Sequence, residues 1–192
     1  MLKNGLNKGE VIAFKTDTVW GFGCIPEDEN AVSKIYEIKK RDSKKPLILM
    51  SDNIESLKKY INFIPDYANI LIKNYLPGAL TLIFEKSELC PNFITSNGST
   101  IGIRIPNSKD FNNIISKIEN RVLATTSCNI AGENPVVDYF EACKKFKNSA
   151  TIIKPLENKI SENIPSTVIL CQKDEYKILR QGAIKLWKNS YS

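Results

Sequence analysis

The sequence predicts an α/β chain built on a mixed sheet. Apolar residues recur at helical spacing in several segments, and short apolar runs of strand length lie between them, so helices and strands interleave. Some connections between the strand-like runs are too short for a parallel crossover, which makes the sheet mixed. The chain has 192 residues and 21.7 kDa, with 42% hydrophobic and 25% charged residues. That is enough to bury roughly 70% of the unfolded surface, and residues 1–192 read as one domain.

Residues 11–14 read as a strand after Gly9. Asn30 caps a helix carrying Ala31, Val32, Ile35 and Ile38 at helical spacing. A short helix with Ile54, Leu57 and Ile61 starts near Asp52, and another opens at Asp66, carries Leu71, Ile72 and Tyr75, and stops at Pro77-Gly78. Residues 80–84 and 101–105 are strands. Ser108 opens a helix with Phe111, Ile114, Ile115 and Ile118 on one face. Residues 122–126 form a strand, and Asp138 with Glu141 makes a capping box before Ala142, Cys143 and Phe146. Short strands at 151–153, 167–171 and 176–179 precede a tail helix through Ile184 and Trp187.

Composition removes whole classes of chemistry. With no histidine, Ser-His-Asp and Cys-His nucleophiles, His-ligated zinc and imidazole acid-base catalysis are excluded. Five cysteines (Cys24, Cys90, Cys128, Cys143, Cys171) are scattered and never spaced C-x-x-C, so they read as small buried hydrophobes of a reducing compartment. No apolar run has signal-peptide character or the roughly 20 residues of a membrane span. The expectation is a cytoplasmic protein without membrane association. The net charge of +6 is concentrated at residues 33–46, where Lys34, Lys39, Lys40, Arg41, Lys44 and Lys45 face only Glu37 and Asp42. An anionic ligand suits that imbalance, and a solvated helix face also accounts for it.

Polar residues collect where strands end. Residues 11–14 run into Lys15-Thr16-Asp17-Thr18 and Trp20-Gly21, and 123–124 run into Thr125-Thr126-Ser127-Cys128-Asn129. Pro165 leads into Ser166-Thr167, residues 178–179 into Arg180-Gln181-Gly182, and 101–103 into Arg104. Strand ends are where ligand crevices form in open α/β sheets. Lys39 and Arg41 supply a mobile point charge and a planar fork for a polyphosphate. Two residues apart on one helix they point in different directions, so a break is required, and Asp42-Ser43 offers one. Neither a Walker A sequence nor a G-x-G-x-x-G fingerprint is present.

Taken together, the clusters resemble the YrdC-like domain of the threonylcarbamoyl-AMP synthases over nearly the whole chain. The carriers are Thr16-Asp17-Thr18-Val19-Trp20-Gly21-Phe22, Lys39-Lys40-Arg41 with Pro46-Leu47, and Pro77-Gly78-Ala79-Leu80-Thr81. They continue with Thr100 to Pro106, Ser127-Cys128-Asn129, Pro165-Ser166-Thr167 and Arg180-Gln181-Gly182. Lys15, Thr126 and Gln181 stand where the family commonly has proline, which removes preset backbone angles but no chemical group. Strand alternation points Lys15 to solvent. Trp20 either packs over the sheet or touches substrate.

The resemblance implies a YrdC-like twisted mixed β-sheet with flanking helices and a basic concave cavity, in the single-domain form. It implies that L-threonine, bicarbonate or CO2, and ATP give threonylcarbamoyl-adenylate and pyrophosphate, for downstream proteins that transfer the threonylcarbamoyl group to tRNA. By motif position ATP falls to Lys39, Arg41, Thr100, Ser127, Asn129 and Arg180, with Lys39 and Arg41 catalytic. Threonine falls to Thr16, Arg104, Thr125 and Ser166. Mg2+ rides on the phosphates, with no metal site in the protein. Two other readings stay open: an RNA-binding module that makes weak backbone contacts through the basic face, and a nucleotide-binding paralogue acting on another carbamoyl substrate.

Overall fold

The computed structural model describes residues 5–157, 160 and 163–186. The elements run β1 (Ile12–Phe14), β2 (Gly21–Cys24), α1 (Glu29–Lys39), β3 (Ile48–Met50), α2 (Glu55–Lys58), α3 (Asp66–Tyr75) and β4 (Leu80–Glu85). They continue with β5 (Thr100–Arg104), α4 (Lys109–Ile115), β6 (Leu123–Ser127), α5 (Tyr139–Phe146), β7 (Thr151–Ile152), β8 (Thr167–Cys171) and β9 (Tyr176–Arg180). The strands form one sheet in the order β7-β1-β2-β6-β3-β5-β4-β8-β9. Pairs β1–β7, β3–β5 and β4–β8 are parallel and the rest antiparallel, so the sheet is mixed as expected.

Alternation along the strands divides the apolar residues between two faces. Ala13, Phe22, Leu49, Leu80, Leu82, Phe84, Ala124 and Ile169 join a large core with Val32 and Ile35 of α1, Leu57 of α2, Ala68 of α3 and Phe146 of α5. Their neighbours Ile12, Phe14, Met50 and Leu123 face the other way and pack with Phe111, Ile114 and Ile115 of α4. Among the described residues a single helix therefore covers part of the second face. Beyond it, the positions that alternate with the large core are Thr81, Ile83, Gly102, Thr125 and Val168, which are mostly small or polar. That uncovered stretch of sheet is where a ligand can sit.

Several local expectations need correction. The cap of α1 is Asp28, not Asn30: its Oδ1 accepts from Ala31 N at 3.1 Å, and its Oδ2 accepts from Gly9 N at 2.5 Å. The break after Lys39 occurs at Lys40, in the left-handed region at φ 49, rather than at Asp42-Ser43. Lys40 N donates to Glu37 O and Arg41 N to Tyr36 O, the double closure of a Schellman motif. The short helix α2 does not reach Asp52 or Ile61: Asp52 is paired with Arg121, and Ile61 bridges to Lys86. Glu141 Oε2 accepts from Val137 N instead of closing a box on Asp138, although Asp138 Oδ1 does cap Glu141 N.

Two strands carried no alternating signal. In β2 the order Gly-Phe-Gly-Cys hides the pattern, and the glycines are there because a Cβ on Gly23 would meet the Phe14 ring at 2.8 Å. In β3 three apolar residues follow directly on a lysine-rich turn. The tail helix is absent over residues 182–186, and Trp187 lies outside the described residues. Ile184 is instead tethered by its backbone: its N donates to Thr167 Oγ1 at 3.2 Å and its O accepts from the same hydroxyl at 2.6 Å. Among the described residues no helix is long and apolar enough to cross a membrane. The five cysteines are free thiols, buried except for the partly exposed Cys143.

Candidate active site

The uncovered stretch of sheet is the floor of a cavity of about 420 Å³. Its walls come from the loop between β1 and β2 (Thr16, Thr18, Trp20), the turn after α1 (Arg41, Pro46), and the end of β6 (Thr125, Thr126, Ser127). Arg104, Pro165-Ser166 and Arg180 close the other side. Among the described residues three arginines line it and no carboxylate does. Thr16, Thr18, Thr81, Arg104, Thr125 and Ser166 are otherwise buried, so most of the buried polar side chains among the described residues face this space.

Each arginine is fixed by the fold. Arg104 is 2% exposed. Its Nη2 donates to Asp17 Oδ1 at 2.5 Å, its Nη1 to Thr18 Oγ1 at 2.6 Å and its Nε to the Gly78 carbonyl at 3.1 Å. Asp17 Oδ2 also accepts from Asn107 N at 3.1 Å, so one carboxylate joins the β1–β2 loop to the segment after β5. Burial, followed by the Asp17 charge acting oppositely and then the like charge of Arg180, leaves the Arg104 pKa below its ordinary value. Arg41 Nη1 donates to Thr126 Oγ1 and Nη2 to the Pro46 carbonyl, both at 3.1 Å. Thr126, standing where proline is common, thus supplies the hydroxyl that orients Arg41.

Arg180 reaches in from β9, donating through Nε and Nη2 to Ser166 O at 3.1 and 2.9 Å and through Nη2 to Ser166 Oγ at 3.2 Å. Ser166 Oγ lies 2.8 Å from Thr81 Oγ1. Close approach of the two segments depends on Gly182, where a Cβ would lie 2.3 Å from Pro165 O and 2.4 Å from Ser166 C. Thr167 Oγ1 locks them together by accepting from Gly182 N at 3.0 Å. Burial lowers the pKa of both Arg41 and Arg180. The two arginines and Arg104 lose hydration with a single carboxylate to compensate, which is the condition of a site awaiting anions.

Lys39 behaves differently from its expected role. It is 1% exposed, and its Nζ donates to the carbonyls of Ser127 and Asn129 and to Asn129 Oδ1, the last at 2.8 Å. Ser127 Oγ donates to the same Oδ1 at 2.6 Å. Burial first, and the charge of Arg41 second, push the Lys39 pKa down to about 8. Lys39 and Asn129 therefore stand behind the cavity wall and shape the Ser127–Asn129 loop, while Arg41 faces the cavity.

Of the residues expected to bind ATP, Arg41, Ser127 and Arg180 share the cavity, with Lys39 and Asn129 against it. Thr100 is not brought there. It begins β5, pairs with Glu85 and lines a separate hollow with Phe63 and Leu170. Four residues of extended strand place it about 13 Å from Arg104. All four residues expected at threonine (Thr16, Arg104, Thr125, Ser166) line the cavity. Lys15 is half-buried and reaches the Glu157 carbonyl at 3.4 Å rather than open solvent. Sequence reasoning missed Asp17, Thr18, Thr126 and Thr167 as functional supports, although all four stand inside the motifs it singled out. Among the described residues no group of three or more Cys, Asp or Glu side chains is placed to hold a metal ion.

Comparison with known proteins gives the family and the fold. The Sua5–YciO–YrdC family model, described as telomere recombination, matches residues 4–182. A threonylcarbamoyl-AMP synthase of Pyrococcus abyssi is 34% identical over 182 residues, covering 94% of this chain and 53% of the relative. The chain thus spans about half the length of that protein. A putative threonylcarbamoyl-AMP synthase of Methanocaldococcus jannaschii is 31% identical over 187 residues, covering 97% and 86%. The crystal structure of P. abyssi Sua5 complexed with L-threonine superposes with a TM-score of 0.84 at 33% identity, over 91% of this chain and 51% of that one. By motif, by fold and by the cavity these motifs build, the chain belongs to the Sua5–YciO–YrdC family.

Proposed function

We infer that this chain is a threonylcarbamoyl-AMP synthase, converting L-threonine, bicarbonate or CO2, and ATP into threonylcarbamoyl-adenylate and pyrophosphate. The observation that carries the reading is a cavity lined, among the described residues, by three arginines, no carboxylate and a ring of buried hydroxyls. Such a lining suits a polyphosphate together with a small carboxylate-bearing substrate. The two curated relatives described above bear that activity in their names, one of them as putative.

The chemistry needs no imidazole. The threonine amine adds to CO2 and forms a carbamate, whose proton is released to solvent. A carbamate oxygen then bonds to the α-phosphorus of ATP while the α-phosphorus–bridging-oxygen bond breaks, and pyrophosphate leaves with the electron pair. Arg41 and Arg180 face the polyphosphate and compensate the charge that builds on the leaving pyrophosphate. Arg104, held by Asp17 and Thr18, faces the threonine carboxylate, with Thr16, Thr125 and Ser166 supplying hydroxyls. Exposed charges are screened over about 8 Å at physiological salt, whereas an enclosed charged hydrogen bond keeps about 1.5–3 kcal/mol, so burial of these arginines is what makes them useful. Mg2+ suits the phosphates and water, since the described residues of the cavity wall include no carboxylate. The product is a reactive mixed anhydride, passed in the cytoplasm to proteins that transfer its acyl group to tRNA.

Pyrophosphate release from ATP tests the reading. Release that requires both L-threonine and bicarbonate is expected, with loss of about tenfold or more in Arg41→Ala. Equal release without threonine would point to a paralogue using another substrate, and salt-sensitive RNA binding without turnover would point to a binding module.

A further inference from the structure

Nearly all buried polar groups in folded proteins find a partner, and those that do not concentrate where a ligand completes the set. Among the described residues two buried donors meet no acceptor: Trp20 Nε1 and Arg41 Nε. Both residues line the same cavity. Arg41 has its Nη1 and Nη2 occupied by Thr126 and Pro46, which leaves the Nε edge of the guanidinium unfilled. Trp20 is fully buried, and an indole offers one donor and no acceptor.

The surroundings of Trp20 indicate which substrate would use that donor. Its carbonyl accepts from Cys128 N at 2.8 Å, inside the loop that Lys39 holds. Two residues on, Phe22 is buried in the same core as Trp20, and its strand partner is Thr126, whose hydroxyl takes the Arg41 hydrogen bond. Lys39 Nζ lies 5.9 Å from the Phe22 ring centre. Trp20 is therefore tied through its backbone and through Phe22 to the Lys39–Arg41 side of the site.

We propose that Trp20 Nε1–H, alongside Arg41 Nε–H, donates to a phosphate oxygen of the nucleotide substrate. The assignment rests on the synthase reading above and adds a ligand contact to it. Packing over the sheet alone would be served equally by phenylalanine, which brings no donor to be stranded. The indole N–H is thus a group whose cost in the empty protein is offset only when the anion arrives.

The test is Trp20→Phe, which keeps an aromatic ring and removes the N–H. Binding of α,β-methylene-ATP and of L-threonine is measured separately by calorimetry, and thermal unfolding is followed without ligand. The expected result is about tenfold weaker binding of the nucleotide analogue, about 1.4 kcal/mol. Threonine affinity should stay within twofold, and unliganded thermal stability should be unchanged or higher. Nucleotide affinity within twofold of wild type overturns the proposal, as does a loss that falls on threonine. Where Trp20→Phe lowers stability, β-(3-benzothienyl)alanine at position 20 replaces only the N–H by sulfur, and the same criterion decides. Failure of the wild-type protein to bind the analogue would instead sink the synthase reading itself.

Discussion

Replacing Gly182 by alanine should disable Arg180 from a distance. The added Cβ would lie 2.3 Å from Pro165 O, 2.4 Å from Ser166 C and 2.5 Å from Ser166 O. All three are backbone atoms, so no side chain can swing away, and relief requires the two segments to part by roughly 1 Å. Parting them stretches Gly182 N to Thr167 Oγ1 and Ala183 N to Pro165 O, both 3.0 Å, as well as the Arg180 grip on Ser166. Two or three hydrogen bonds at about 1 kcal/mol each put the stability loss at about 2–3 kcal/mol. If Arg180 then misses its phosphate oxygen, a charged hydrogen bond of about 1.5–3 kcal/mol goes with it, or roughly 10- to 150-fold in kcat/KM for ATP. Urea unfolding gives the first quantity, and steady-state pyrophosphate release at varied ATP gives the second. Wild-type ATP kinetics in Gly182→Ala would refute the assignment of Arg180 to the nucleotide.

Two further predictions concern the charges. Lys39 falls from its ordinary 10.5 to about 8 through burial and the nearby Arg41 charge. The folded state thus sheds its proton before the unfolded state does, and stability rises with pH between about 8 and 10.5 by up to about 3 kcal/mol while staying flat below 8. Comparing unfolding free energies of wild type and Lys39→Met from pH 7 to 10 isolates that slope; a difference that is constant or falls with pH would contradict it. Asp17→Asn removes the carboxylate that holds Arg104, a pair whose side chains are 15% and 3% exposed. The expected outcome is a loss of about 1.5–3 kcal/mol in stability with a higher KM for threonine and a near-normal KM for ATP; a rise confined to ATP would place Arg104 at the wrong substrate.

Helices were legible wherever a polar cap preceded apolar residues at helical spacing. Ser108, for example, accepts from Phe111 N as its position suggests, and Asp138 does the same for Glu141. The strands that escaped were those whose residues answer to a neighbour rather than to their own alternation. The glycine-rich β2 makes room for Phe14, and β3 is three residues long with its apolar side chains split between two cores. No helix forms around Ile184 for a related reason: the Thr167 hydroxyl claims its backbone, and that tertiary bond outweighs local periodicity over residues 182–186.

The site was legible as motifs but not as geometry. Spacing identified Lys39 and Arg41 as a pair, yet only the left-handed Lys40 turns Lys39 into the Ser127–Asn129 loop and frees Arg41 for the cavity. Thr100 and Arg104 share one motif, but a strand separates its ends, so only Arg104 arrives. Asp17 stood in view between two threonines. Nothing in the order of residues shows that its partner lies 87 positions away.

A crystal structure of the chain with α,β-methylene-ATP and L-threonine would be the most direct measurement. It should show phosphate oxygens within hydrogen-bonding distance of Arg41 and Arg180 and the threonine carboxylate against Arg104, both ligands inside the one cavity. A nucleotide seated elsewhere on the protein, or a threonine bound apart from it, would contradict the shared anion site on which the proposed reaction depends.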